Sequence, residues 1–291
     1  MHFAFINNNR VEAQPELKGL CPCCSKPVIA KCGTKKIWHW AHQSKINCDN
    51  WWEPETKWHR TWKDNYPADW QEISLLNEQT GEKHIADVHT VHNLVIEFQH
   101  SHIEPQERAS RELFYKNMVW VVDGIRLKRD YPRFLKGKNN SFENTIFYNT
   151  ENPKIFRVEH IDWCFPSAWL ESSVPVIFDF LGDGSMDDSE GLRNTLYCLF
   201  PQVGKNARVA EFSRKAFIKA TTNGEWTLRV LEFINDFRKQ DEIERKEQPQ
   251  TMSRTSNKVI YTMRGIPLIG GYKEYQKRLS ASYKSIRKVR R

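Results

Sequence analysis

The chain has 291 residues, a formal net charge of +8 and a pI near 9.0, with 39% hydrophobic and 27% charged residues. That balance excludes a disordered or low-complexity chain, and no apolar run approaches the roughly 18–20 residues a bilayer span requires. The excess of positive charge favours a polyanionic partner, either nucleic acid or an anionic membrane face.

The opening "MHFAFINNNRVEAQ" lacks a basic n-region and its apolar stretch breaks at Asn7, so no secretory signal is expected. Five of the seven cysteines (Cys21, Cys23, Cys24, Cys32 and Cys48) fall in the first fifty residues, while Cys164 and Cys198 stand apart. An odd, clustered set fits metal binding better than a disulfide framework, and it fits the reducing cytoplasm. Cys21 and Cys24 have the C-x-x-C spacing of a zinc knuckle, and His39 and His42 follow as H-x-x-H. Four such ligands close a tetrahedral, structural Zn²⁺ site. Cys23 and Cys48 remain alternative ligands, Cys48 as a substitute for one histidine. A segment this short and poor in aliphatic residues needs a staple of that kind to fold. Between the pairs, "KPVIAKCGTKKIWHW" reads as a hairpin turning at Gly33-Thr34, and Lys31, Lys35, Lys36, Trp38 and Trp40 interleave cations with aromatic faces suited to phosphates and stacked bases.

From residue 51 to about 125 the pattern is α-β-β-β-α-β, a mixed α/β sheet with helices packed against it. "EPETKWHRTWKDNY" starts a helix at Pro54; Glu55, His59 and Lys63 recur every four residues on one face, beside Trp58 and Trp62. "WQEISLLN" reads as a strand, and "KHIADVHTV" and "NLVIEFQH" as two more with the reversal at His92-Asn93. If the reversal centres on His92, Asp87 faces Glu97 with Cβ atoms about 4.5–5.5 Å apart, and Gln99 shares the face of Glu97 about 6.6 Å away. Two carboxylates so close repel unless a cation sits between them, and a hard divalent ion such as Mg²⁺ meets that need. The alternative is a solvated outer face, and a slip of one residue would separate the pair. "EPQERASRELFYKNM" is expected to be a helix burying Ala109, Leu113 and Phe114, and "VWVVDG" a buried strand ending in a turn.

"CPCCSKPV", "HWAH", "ETKWHRTWK", "IADV", "IEFQHSHI" and "RELFY", in that order, resemble the competence protein CoiA-like family, a branch of the PD-(D/E)xK nuclease superfamily. The resemblance covers residues 21 to about 122 and implies a restriction-endonuclease-like fold. It also implies a Mg²⁺- or Mn²⁺-dependent phosphodiesterase acting on nucleic acid, DNA foremost, with Asp87 and Glu97 as metal-binding carboxylates and Glu55 as the acid of the first helix. Gln99 takes the place of the superfamily lysine, as in the CoiA-like branch. It can align water but cannot charge the site, which leaves the metal, helped by Lys63, to activate that water. Arg111 and Tyr115 are placed similarly to the DNA-contacting Gln-x-x-x-Tyr helix of RecB-like relatives, and His59 is a further candidate contact. The alternative function is a DNA-binding module on a nuclease-like fold that does not cleave.

Beyond residue 125, "KRDYPRFLKGKNNSFENT" reads as a linker, "VPVIFDFLGDG" as a strand and turn, and "ARVAEFSRKAFIKA" and "EWTLRVLEFINDFRKQDEIERKE" as amphipathic helices. The expected organisation is a zinc-binding head over 1–50, a nuclease-like core over 51–125, and a largely helical region over 126–291. That last region ends in the basic tail "YKEYQKRLSASYKSIRKVRR", suited to salt-sensitive binding of nucleic acid.

Overall fold

The computed structural model describes residues 1–44, 48–51, 53–142, 153–181, 195–204 and 207–247, and the backbone of the short strands Asn144–Phe147, Ile260–Tyr261 and Pro267–Leu268. The basic tail lies outside the described residues. No helix among them is long and apolar enough to cross a membrane.

The head is an antiparallel sheet of β1 (Phe3–Ile6), β2 (Asn9–Glu12), β3 (Lys18–Leu20), β4 (Pro27–Lys31) and β5 (His39–His42), in the order β2-β1-β3-β4-β5. Asn7 and Asn8 both take positive φ (49° and 65°), as the tight hairpin joining β1 to β2 requires. Its core is small: Ala4, Val28 and Trp40 pack with Cys21 and Cys23. So little apolar burial makes a metal staple physically reasonable.

After the head come α1 (Lys57–Lys63), β6 (Gln71–Leu76), β7 (Lys83–His89), β8 (Val95–Gln99), α2 (Pro105–Tyr115) and β9 (Met118–Asp123). Strands β6 to β8 form an antiparallel meander, and α2 crosses over so that β9 runs parallel to β8. Helix α1 begins later than Pro54 suggests, because Thr56 caps it: its hydroxyl accepts from the His59 N–H, and His59 Nδ1 accepts from the Thr56 N–H in return.

The sheet does not stop at β9. α3 (Asp130–Ser141) occupies the expected linker, and β10 (Asn144–Phe147), β11 (Lys154–Val158), β12 (Val176–Asp179), β13 (Thr195–Leu199) and β14 (Ala207–Ser213) extend the sheet to nine strands, in the order β10-β11-β14-β13-β12-β9-β8-β7-β6. Among the described residues after 125, the helices α3, α4 and α5 are thus joined by five strands of the large sheet, which runs past 125 without a break. "ARVAEFSRKAFIKA" divides at Ser213, whose hydroxyl caps α4 (Arg214–Thr222) and ends β14. Helix α5 (Glu225–Glu247) matches its expected span. The two-residue strands β15 (Ile260–Tyr261) and β16 (Pro267–Leu268) pair in a second unit that begins at Ile243.

Central strands β8, β9 and β12 are buried on both faces. On one face α1, α4 and α5 pack through Trp58, Trp62, Phe217, Trp226 and Phe237. Asp179 on β12, fully buried, fastens α1 to the sheet. Trp58 Nε1 and Trp62 Nε1 donate to its Oδ2 at 3.0 and 2.9 Å, and Arg214 donates to its Oδ1 at 2.6 Å. Asp179→Ala would strand a partly buried guanidinium and two buried indole donors. Urea unfolding should register a loss of about 3–5 kcal/mol.

Candidate functional site

Val88 pairs with Ile96 and His89 with Val95, a register that carries on to place Asp87 opposite Glu97. The ladder itself stops at Val88–Ile96, because the carboxylates take over its donors. Asp87 N–H donates to Glu97 Oε1 at 3.1 Å, and Phe98 N–H donates to Asp87 Oδ2 at 2.9 Å. On the other side of β7, Gln71 pairs with Val88 and Ile73 with Ala86, which sets Glu72 opposite Asp87. Glu72 has a φ of +48° and makes no ladder pair, so three strands present acids in one row where the sheet's own bonding is broken.

Cations from two helices close on the row, in which Glu72 and Glu97 are buried and Asp87 is partly exposed. From α1, Lys63 Nζ reaches Glu55 at 2.6 Å, Glu72 at 3.1 Å and Asp87 at 3.7 Å. From α2, Arg111 reaches Glu97 Oε2 at 3.2 Å. Asp49, Glu53, Glu55, Glu72, Asp87 and Glu97 share one cavity, whose side-chain cations are Lys63 and Arg111. Burial and the neighbouring Asp87 push Glu97, 4% exposed, up to about 8 despite Arg111. Burial also raises Asp87, against the pull of Lys63 and His59. The opposite holds for Glu72: Lys63 and the N–H groups of His2 and Phe3 outweigh burial and keep it ionised.

Several expected site residues have other tasks. Glu55 lies on the cavity wall, with Arg60 bidentate on its carboxylate and Lys63 beside it. Gln99 is not on that wall. Its amide donates to Glu53 Oε2 at 3.2 Å and to Ser101, so it holds the carboxylate of a residue on the wall. His59 is buried on the cavity wall, bonded to Glu53 at 2.7 Å and to the Phe98 carbonyl. Arg111 and Tyr115 are buried too, Arg111 on the cavity wall: Arg111 binds Glu97, Glu107 and the Trp51 carbonyl, and Tyr115 packs edge-on to Trp51 and Phe114. Helix α2 turns its charged side inward, burying Arg108, Arg111, Glu112 and Tyr115 and leaving Ala109 outside and Leu113 77% exposed. Each inward charge has a partner, Arg108 and Ser172 meeting on Glu112.

Sequence reasoning missed Glu53 and Glu72. Glu72 was within reach, since carrying the hairpin register across to the preceding strand sets it beside Asp87. Glu53 sits in an aperiodic stretch before α1 and gave no signal. Five donors from His59, Gln99, His100 and Ser101 converge on it and, against burial, hold it down at about 2.

In the head, Cys21, Cys24, His42 and Cys48 place one ligand atom each within 4.8 Å of one another, the one such group among the described residues. Cys21 Sγ and Cys48 Sγ are 3.7 Å apart, and Cys24 Sγ and His42 Nε2 3.3 Å. Those distances fit the edges of a tetrahedron about a Zn²⁺ with Zn–S near 2.3 Å and Zn–N near 2.0 Å, so the donor set suits zinc. The Cys23 N–H donates to Cys21 Sγ at 3.4 Å, and burial, with the N-terminal amine and Lys26, keeps His42 neutral. His39 is not a ligand. It lies on strand β5, where residues three apart point to opposite faces, so His39 and His42 cannot converge. His39 Nδ1 instead bonds the Ile37 carbonyl at 2.8 Å, and Cys48 completes the set.

Fold and site together define a mixed α/β protein with an acid-lined cavity in its large sheet and a Cys₃His head able to hold zinc. Residues 5–50 match the family model described as the competence protein CoiA, N-terminal domain. The match spans the head and ends before α1. No curated protein and no solved structure matches the chain.

Proposed function

We propose that this chain is a metal-dependent nuclease that hydrolyses phosphodiester bonds, with DNA the expected substrate, in a competence-related role. The likeness of its head to the CoiA N-terminal domain supports that role. The observation that carries the activity is the opposition of Asp87 and Glu97 in a cavity with six carboxylates, where Glu97 is pushed up to about 8. Such a pair fits a hard divalent ion taking oxygen ligands, Mg²⁺ or Mn²⁺, with Asp87 and Glu97 as the holders. The ion, when bound, supplies Lewis-acid stabilisation of the phosphate and a more acidic water. Lys63 adds fixed positive charge beside Asp87, Arg111 orients Glu97, and Gln99 with His59 locks Glu53 at the cavity's edge.

The test is cleavage of single- and double-stranded DNA and RNA with Mg²⁺ or Mn²⁺, set against Asp87→Asn. Metal-dependent cutting by the parent and none by the variant is the expected result. Equal cutting by both would overturn the reading.

A second reading, a nucleic-acid-binding module that does not cleave, draws on Arg111 and Lys63, which already neutralise part of the acidic row. It requires binding that ignores EDTA. Calorimetry separates the two readings, because Mg²⁺ binding that Glu97→Ala removes belongs only to the first.

Metal-free protein should also report Glu97 through pH. Its folded pKa lies above the unfolded value of about 4.3, so its contribution is full below pH about 4 and is lost as pH rises through about 8. Glu97→Gln should therefore raise the melting temperature at pH 8–9 and give little gain at pH 5, read by thermal scans in EDTA.

A further inference from the structure

The tip of the β4–β5 hairpin carries Lys31, Lys35, Lys36 and Trp38, all exposed, with Trp38 at 48%. An indole that open on a small head buries little against the protein, while its neighbour Trp40 is fully buried with its Nε1 on the Val11 carbonyl. The base of the tip is pinned. His39 Nδ1 bonds the Ile37 carbonyl, β5 pairs with β4 through Lys31–His39, and His42 at the strand's end belongs to the Cys₃His cluster. It is also close to the cavity: Arg60 donates to the Trp38 carbonyl at 3.4 Å with the same Nη2 that binds Glu55 at 2.7 Å, and Glu55 lies on the cavity wall.

We infer that Trp38 is a stacking platform for an unpaired base of the nucleic-acid strand entering the Asp87–Glu97 cavity, with Lys35 and Lys36 on its phosphates. A flat, exposed π-face beside cations suits a base whose own face is free, and bases inside a duplex have none to offer. The surface thus selects single strands or frayed ends. It rests on the nuclease reading for the strand's destination, but the contact itself needs no catalysis.

The experiment measures binding of fluorescein-labelled single-stranded and blunt duplex oligonucleotides, DNA and RNA, to the full chain in EDTA, where cleavage plays no part. Trp38→Ala should weaken single-strand binding about tenfold, in line with one lost stacked base, and duplex binding less than twofold. Trp38→Phe should restore most of the loss. Lys35→Gln with Lys36→Gln should lower the slope of log affinity against log salt by about 1.4 on single strands. Zinc content and melting temperature of the variants check that the head stays folded. Trp38→Ala with unchanged single-strand affinity, or with equal loss on duplex, overturns the platform. A parent that binds single strands through Trp38 yet never cleaves would keep it and overturn the nuclease reading alone.

Discussion

Asp87→Asn should abolish metal-dependent cleavage, by at least about 10³-fold, and leave the protein no less stable than its parent. The two effects come from one cause. Asp87 and Glu97 are opposed across a gap in the ladder, and burial raises both carboxyls above their ordinary range. Replacing one carboxylate with an amide of the same shape removes a metal ligand and also removes like-charge repulsion. The Asn Oδ1 can still accept from the Phe98 N–H, so the backbone keeps its bond. Glu72→Gln is the informative contrast, because that acid neighbours the same row but anchors the N–H groups of His2 and Phe3 and balances Lys63. There the expected result is lower stability, since a buried ammonium loses a partner. Thermal scans beside a cleavage assay separate the two residues. Should Asp87→Asn cut within threefold of the parent, Asp87 holds no catalytic ion.

The hairpin was legible because a strand has a period of two and a short reversal fixes its register: centring the turn on His92 was enough to bring Asp87 to Glu97. The same rule, applied in the head, would have separated His39 from His42, and the H-x-x-H spacing misled because it pairs residues only on a helix. Helix α2 was misread for another reason. Its apolar residues suggest one inward face, but Glu97, Ser172 and Trp120 offer partners for Arg111 and Glu112, and satisfied charges displace Leu113 to the surface. Strand β14 reads as helix because a short apolar run has no period of its own, and only its pairing with β13 and β11 decides. Glu53 is legible only in three dimensions, where donors from Gln99 at the end of β8 through Ser101 close on it.

Removing zinc from the head should have the largest effect on stability, and it should be felt at the acidic row. Structural zinc sites contribute roughly 10–16 kcal/mol of apparent binding energy at pH 7, far more than this head's small core could replace. The head is also tied to β7. Asp49, next to Cys48 of the Cys₃His cluster, bonds His84 at 2.8 Å and the Ile85 N–H at 2.8 Å, and Lys83 reaches the Cys23 carbonyl at 2.8 Å. Two residues further along the strand is Asp87. A strong chelator should therefore unfold the head, and slow hydrogen exchange over Lys83–His89 should become fast. Cys48→Ser should lose stoichiometric zinc, whereas His39→Ala should retain one ion per chain, as metal release followed with a colorimetric thiol-and-zinc titration will show. The reverse order of those two variants would return His39 to the ligand set and remove the reason for Asp49 to depend on it.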